Sequence, residues 1–305
     1  MNELSCIVAR LMQYFDIQSY GEDPAFKKYL PTAYDEIKFD WKSYFENGFS
    51  NYFNGLMIKG NEEVGSIFAS TFLSNHVLEK FIERSKPGSM LIVHHPIDMK
   101  CGDPRGEWGS GFTAPDLELL QKIKKSGRTI FSCHLPLDIH QNISTGRAIA
   151  QALEAKIVDF FCHEEHGYSG LICSIKKETD TDSIIDNLKD IFNIPYVDFE
   201  GKKITNAKKI AVLAGGGDVI DYMNEAESKG AQIYITGEVH HHINTEYGKM
   251  RYNKMMEYVK TTNMSLIGVS HAASEFLVFK NQFSDFIQKE FASELFLIEE
   301  SNWWR

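Results

Sequence analysis

Hydrophobic positions along this chain switch period repeatedly. Leu4, Ile7, Leu11, Met12 and Phe15 recur at helical spacing and predict a first amphipathic helix. Residues 20–50 carry Tyr29, Phe39, Trp41, Tyr44 and Phe45 without a clean period, and these aromatics are expected to pack the segment onto the main body. Residues 51–60 read as a turn entering a strand, and 64–72 as a second strand. Residues 75–84 place Val77, Leu78, Phe81 and Ile82 on one side of a helix ending near Lys86-Pro87-Gly88. Leu91-Ile92-Val93 is a short buried strand running into His94-His95, and Pro96 closes it, because proline cannot continue a central ladder. Strand, helix, strand is the signature of a βαβ crossover and an α/β fold.

The alternation continues. Residues 115–125 predict a helix, 128–133 a strand entering His134-Leu135-Pro136-Leu137-Asp138, and 142–153 another helix. The stretch 156–200 is less regular, with a strand at 171–175 and a helix over 182–192. Within it, Cys162-His163-Glu164-Glu165-His166 has no second ligand pair at zinc spacing and reads as a solvated loop. A strand at 209–214 enters Gly215-Gly216-Gly217-Asp218. That turn can expose N–H groups to an anion, but it is neither GxGxxG nor a P-loop, so a tight βα turn is the plainer reading. A helix to about 229 follows, then a strand at 231–236 ending in Gly237-Glu238-Val239-His240-His241-His242. A helix over 250–261, a strand over 265–269 entering Ser270-His271 and Glu275, a helix over 276–291 and a strand at 293–298 complete the chain.

Composition narrows the function classes. The 305 residues allow one or two domains, and the formal charge of −10 argues against a nucleic-acid surface. No run of about 18 apolar residues predicts a membrane span, and the N-terminus lacks the pattern of a secretory signal. Five cysteines, Cys6, Cys101, Cys133, Cys162 and Cys173, without CxxC spacing suggest reduced thiols and a cytoplasmic location.

The candidate chemistry lies at strand ends, where open α/β sheets collect ligands. Four predicted strands end in His94-His95, His134 with Asp138, Glu238 with the trailing histidines, and His271 with Glu275. Four apart, His271 and Glu275 share one face if a helix starts at His271. Imidazoles with carboxylates suit zinc, manganese, iron or nickel without choosing among them. Each motif alone is equally a satisfied polar pair; together they are more, since unpaired buried histidine and carboxylate groups are costly.

Five segments carry a resemblance: Asn54-Gly55-Leu56, His94-His95-Pro96, His134 through Asp138, Thr236-Gly237-Glu238 with His240 to His242, and Ser270-His271 with Glu275. In this order they resemble the dinuclear-metal proteins related to the NGG1-interacting factor, also called GTP cyclohydrolase type 2 homologues. The resemblance covers about residues 50–305 and implies metal ligands at His94, His95, Asp138, His271 and Glu275, holding two divalent ions. It implies two intertwined α/β lobes with mixed sheets, the metal site in the cleft between them, and a homohexamer. The division expected is an extension, 1–50, on a core of 51–305 with lobes near 51–155 and 156–305. Three departures stand out: Asn54 lies directly before Gly55, Glu238 replaces an aspartate, and Ser270 replaces a glycine. The expected function is metal-dependent hydrolysis of a nucleotide-like substrate, with His134, Glu238, His241 and His242 as proton-handling residues. The alternative is a non-catalytic metal-binding adaptor, with residues 1–50 as a docking surface.

Overall fold

All six residues of the strand Met90–His95 are buried, and the sheet around them explains the unbroken apolar run before the histidines. The strand lies third in a five-stranded sheet, in the order Leu295–Leu297, Ile67–Phe72, Met90–His95, Thr129–Ser132 and Gly55–Ile58. The first four run parallel, and Gly55–Ile58 is antiparallel to its neighbour. A strand covered on both faces has no solvent side to mark with polar residues. The helix Asn75–Arg84 joins two of these strands, with ends where the sequence places them. Ser74 Oγ accepts from Val77 N at 3.2 Å and fixes its start.

The computed structural model describes residues 2–305. The chain divides into two units, each discontinuous in sequence. The first comprises the chain up to Met99, Phe112–His140 and Phe279–Ser301; the second comprises Lys100–Gly111, Gln141–Val278 and Asn302–Arg305. Residues 20–50, expected to lack a clean period, contain three short helices, Phe26–Glu36, Trp41–Tyr44 and Asn47–Tyr52. Phe26, Tyr34, Trp41, Phe45 and Phe49 are buried and share one apolar cluster with Met57, Leu91, Val93 and Ile130. Each such side chain contributes about 1.5–3 kcal/mol by leaving water.

The second unit is built on a six-stranded mixed sheet, in the order Asp198–Gly201, Ser265–Gly268, Ile233–Thr236, Ala207–Leu213, Gly167–Thr179 and Lys156–Glu164. Ala207–Leu213, Ile233–Thr236 and Ser265–Gly268 are parallel; the remaining pairings are antiparallel. Residues 162–166, read from sequence as a solvated loop, instead close a long hairpin, because Lys156–Glu164 pairs along Gly167–Thr179. The helix expected over 276–291 is two helices, His271–Lys280 and Gln282–Phe291, separated where Asn281 leaves helical geometry and caps Gln282 N at 2.6 Å. Among the described residues, no helix is long and apolar enough to cross a membrane.

Candidate metal centre

In the first unit, the strand Met90–His95 delivers His94 and His95 at its carboxyl end, both buried. The neighbouring parallel strand Thr129–Ser132 leads through Cys133 to His134, which precedes the short helix Leu135–Ile139 carrying Asp138. His94, His95 and His134 form a near-equilateral triangle, with ring centroids 4.8 Å apart on each side. His94 Nδ1 lies 2.9 Å from the Cys133 carbonyl oxygen. A carbonyl only accepts, so Nδ1 carries a proton and the ring turns Nε2 the other way. That Nε2 faces Asp138 Oδ1 at 3.3 Å. Aromatic edges hold the triangle: Phe26 and Phe72 meet the His95 ring at 5.4 and 4.7 Å.

His134 is held from behind by a residue that no motif announces. Asp23, 2% exposed, accepts from His134 Nδ1 at 2.7 Å. The same carboxylate accepts the N–H groups of Ala25 and Phe26 on Oδ1, and those of Leu135 and the Asn54 amide on Oδ2. Burial works against the charge on Asp23, but His134 and these amides outweigh it and hold its carboxyl well below the usual carboxylate range. Asn54 completes the loop, its Oδ1 accepting from His134 N at 2.6 Å. Fixing Nδ1 in this way turns His134 Nε2 toward Asp138 Oδ2, 3.8 Å away.

In the second unit, Ser265–Gly268 leads into a helix that begins at His271, so Glu275 sits one turn further on the same face. His271 Nε2 and Glu275 Oε1 are 3.1 Å apart, and His271 Nδ1 is 2.8 Å from Glu238 Oε2. Glu238 therefore stands behind His271 as an orienting carboxylate. Burial lowers the His271 pKa, but Glu275, Cys101 and Glu238 prevail and move it well above its ordinary value. Cys101, a buried thiol that sequence reasoning passed over, offers a donor atom within 4.8 Å of His271 and Glu238. Its pKa is pushed up to about 12 by burial and by Glu238. The glycine turn after Ala207–Leu213 serves this wall: a Cβ on Gly215 would meet Glu275 Oε1 at 2.2 Å, and φ there is +68°.

The trailing histidines have other neighbours. His241 Nδ1 pairs with Asp218 Oδ2 at 2.7 Å, and Arg251 Nη2 reaches the same oxygen at 2.9 Å. Burial opposes protonation of His241, but Glu238 and Asp218 raise its pKa. His242 packs against His240 and Tyr252, and burial beside His240 lowers its pKa to about 4. His240 is flanked by Asp198 and Glu200, neither singled out by the sequence. Burial lifts the Asp198 carboxyl to about 6.

A family model described as Duf34/NIF3 (NGG1p interacting factor 3) matches residues 50–302. Relatives named GTP cyclohydrolase 1 type 2 homolog include one from Archaeoglobus fulgidus, 26% identical over 194 residues, or 62% of this chain and 70% of that protein. The one from Pyrococcus horikoshii is 29% identical over 192 residues, with the same two coverages, 62% and 70%. Among solved structures, the protein ybgI, titled as of unknown function, superposes with a TM-score of 0.66 at 15% identity, covering 99% of this chain and 100% of that one. TTHA1606 from Thermus thermophilus gives 0.59 at 16% identity and covers 99% of each chain. At these identities the structural likeness speaks for the fold.

Proposed function

Because the chain belongs to the Duf34/NIF3 family, we propose that it is a metal-dependent hydrolase of a nucleotide-like substrate, with two divalent ions held by His94, His95, Asp138, His271 and Glu275. The observation that supports this most is the pairing in each unit of a buried imidazole nitrogen with a carboxylate oxygen. His94 Nε2 faces Asp138 Oδ1, and His271 Nε2 faces Glu275 Oε1, while the opposite ring nitrogen is engaged by Cys133 or Glu238. Ligating imidazoles are commonly oriented in this way from behind. The donor set fits zinc, manganese, iron or nickel.

When bound, such ions supply Lewis acidity to a water and to a substrate oxygen. The chain's own residues do the rest. Asp138 and Glu275 bring negative charge to the two sites, which a cation would balance. Glu238 keeps the His271 ring in register. His134, fixed at Nδ1 by Asp23, can accept or return a proton at Nε2, the function expected of a general acid–base group. A nucleotide substrate follows the relatives' name, and the five unpaired thiols fit a reducing cytoplasm. A homohexamer belongs to the same proposal, and light scattering reads it directly.

The deciding experiment measures metal per chain on protein purified without chelator, beside Asp138→Ala and Glu275→Ala. About two ions in the parent, falling in both variants, together with GTP turnover lost in Asp138→Ala, is the expected result. A metal-replete chain that turns over no nucleotide or phosphoester ends the hydrolase reading. The adaptor alternative has less to stand on, since Trp41 and Phe45 of the segment it needs for docking are buried, and Tyr29, Phe39 and Tyr44 are partly buried against the same cluster.

A further inference from the structure

A second donor cluster in the same unit as His271 uses none of the five proposed ligands. Asp198 and Glu200 stand two apart on the strand Asp198–Gly201, so their side chains leave the same face. His240, 3% exposed, lies against that face. Its Nε2 is 3.4 Å from Glu200 Oε1 in hydrogen-bond geometry, which places the ring proton there. Its Nδ1 is 3.3 Å from Asp198 Oδ2 and makes no hydrogen bond among the described residues. His240 Nδ1 thus faces a carboxylate oxygen outside the direction of a hydrogen bond. His242 packs edge-on against His240 with ring centroids 4.6 Å apart, and among the described residues no hydrogen bond reaches its ring nitrogens. One donor atom from each of Asp198, His240 and His242 lies within 4.8 Å of the other two.

The spacing has a physical meaning. Two nitrogen or oxygen ligands about 2.0–2.1 Å from a tetrahedral zinc lie roughly 3.3–3.4 Å apart. His240 Nδ1 and Asp198 Oδ2 are separated by 3.3 Å. The loop is also held in place before any ligand arrives. The His242 carbonyl accepts from Gly109 N at 2.7 Å, and a Cβ on Gly102 would approach that carbonyl to 2.3 Å. A Cβ on Gly268 would press Asp198 Cβ at 3.2 Å, so glycine there lets the acid close in.

We infer that Asp198, His240 and His242 form a further divalent-cation site of zinc type, with Glu200 orienting His240 from behind. Two imidazoles with one carboxylate favour a transition-type ion over calcium or magnesium. The site shares no ligand with the five-residue set and does not depend on it.

The test uses the full chain stripped of metal, with Zn2+ and Co2+ as probes. Zn2+ is counted after equilibrium dialysis in the parent, in Asp138→Ala/Glu275→Ala, and in that double variant carrying His242→Gln. One ion per chain should persist in the double variant and be lost on adding His242→Gln. Glu200→Gln should weaken the remaining ion by about 10-fold without abolishing it. A second readout is optical. The Trp108 ring lies 5.6 Å from that of His242, so bound Co2+ should quench its fluorescence. Both Trp108→Phe and His242→Gln should remove that quenching. If His242→Gln lowers the thermal midpoint of the metal-free chain, Asp198→Asn takes its place, and it too must lose the ion. A double variant that binds no Zn2+, or one whose ion survives both His242→Gln and Asp198→Asn, overturns the site and leaves a buried ion pair. An ion lost with His242→Gln in a chain where Asp138→Ala changes nothing would keep this site and remove the two-ion reading.

Discussion

Asp23 and His134 lie 111 positions apart and share a 2.7 Å hydrogen bond. No sequence pattern announces that contact. Before Pro24-Ala25-Phe26, Asp23 looks like an ordinary helix-start residue, and it does receive the Ala25 and Phe26 amides. The places of His94, His95, Asp138, His271 and Glu275 after strands or along one helix face were legible from the predicted strands and a four-residue spacing. The carboxylate behind His134, Asp23, arrives through a tertiary contact and leaves no local signature, whereas Glu238 behind His271 stands at a strand end that could be read. Asp23→Asn is expected to replace an acceptor with a donor at His134 Nδ1 and move the ring proton to Nε2. Nitrogen-15 NMR of the metal-free protein reads that tautomer directly. The buried hydrogen bonds lost should cost about 1–3 kcal/mol at neutral pH. The sign with pH follows from the depressed pKa of Asp23. Its stabilisation is complete above the ordinary value of 3.8 and is lost as pH falls toward the folded-state value. Urea unfolding below pH 5 should therefore show a shallower loss of stability in Asp23→Asn than in the parent; parallel acid limbs would remove Asp23 from the acid response.

At the scale of elements, Ser270 explains how a departure from the family pattern is tolerated. It has φ +79°, a conformation that favours glycine, which the resemblance places there. Its hydroxyl offsets the strain by donating to the Trp303 carbonyl at 2.5 Å and accepting from Ala273 N at 3.3 Å. Ser270→Ala keeps the strained backbone and loses both bonds, so thermal unfolding should show a loss of about 1–2 kcal/mol. Ser270→Gly relieves the backbone and should lose less than Ser270→Ala. The reverse order would show that the backbone at Ser270 carries no strain for glycine to relieve. Strongly patterned elements were the readable ones, such as Asn75–Arg84 and the strand Met90–His95. The strand Lys156–Glu164 was missed because only Phe161 and Cys162 in it are buried and it shows no alternation of apolar residues to read. The helices between residues 26 and 52 escaped because two of them hold only four and six residues and the third, Phe26–Glu36, carries Pro31 in its interior.

For the whole molecule, the first fifty residues are structural, although the family model begins at residue 50. A chain trimmed to start there would lose Phe26, Leu30, Tyr34, Trp41, Phe45 and Phe49 from one apolar cluster. At about 1.5–3 kcal/mol for each side chain, that loss rivals the roughly 5–15 kcal/mol that holds a domain folded. The trimmed chain should express insoluble or without a cooperative melt, and a native-like melt would make the segment dispensable. The five-stranded sheet carries another consequence, this time for biosynthesis. Its outer strand Leu295–Leu297 pairs with Ile67–Phe72, roughly 220 residues earlier in the chain. At about 5–20 residues per second, the ribosome delivers that partner ~10–45 s after Ile67–Phe72 has emerged. Throughout that interval the nascent chain carries an apolar strand with one unpaired edge, the kind of surface on which neighbouring polysomes can cross-pair. Yield from the cell should therefore respond to translation speed and to chaperones that shield emerging chains, even where the finished protein is stable.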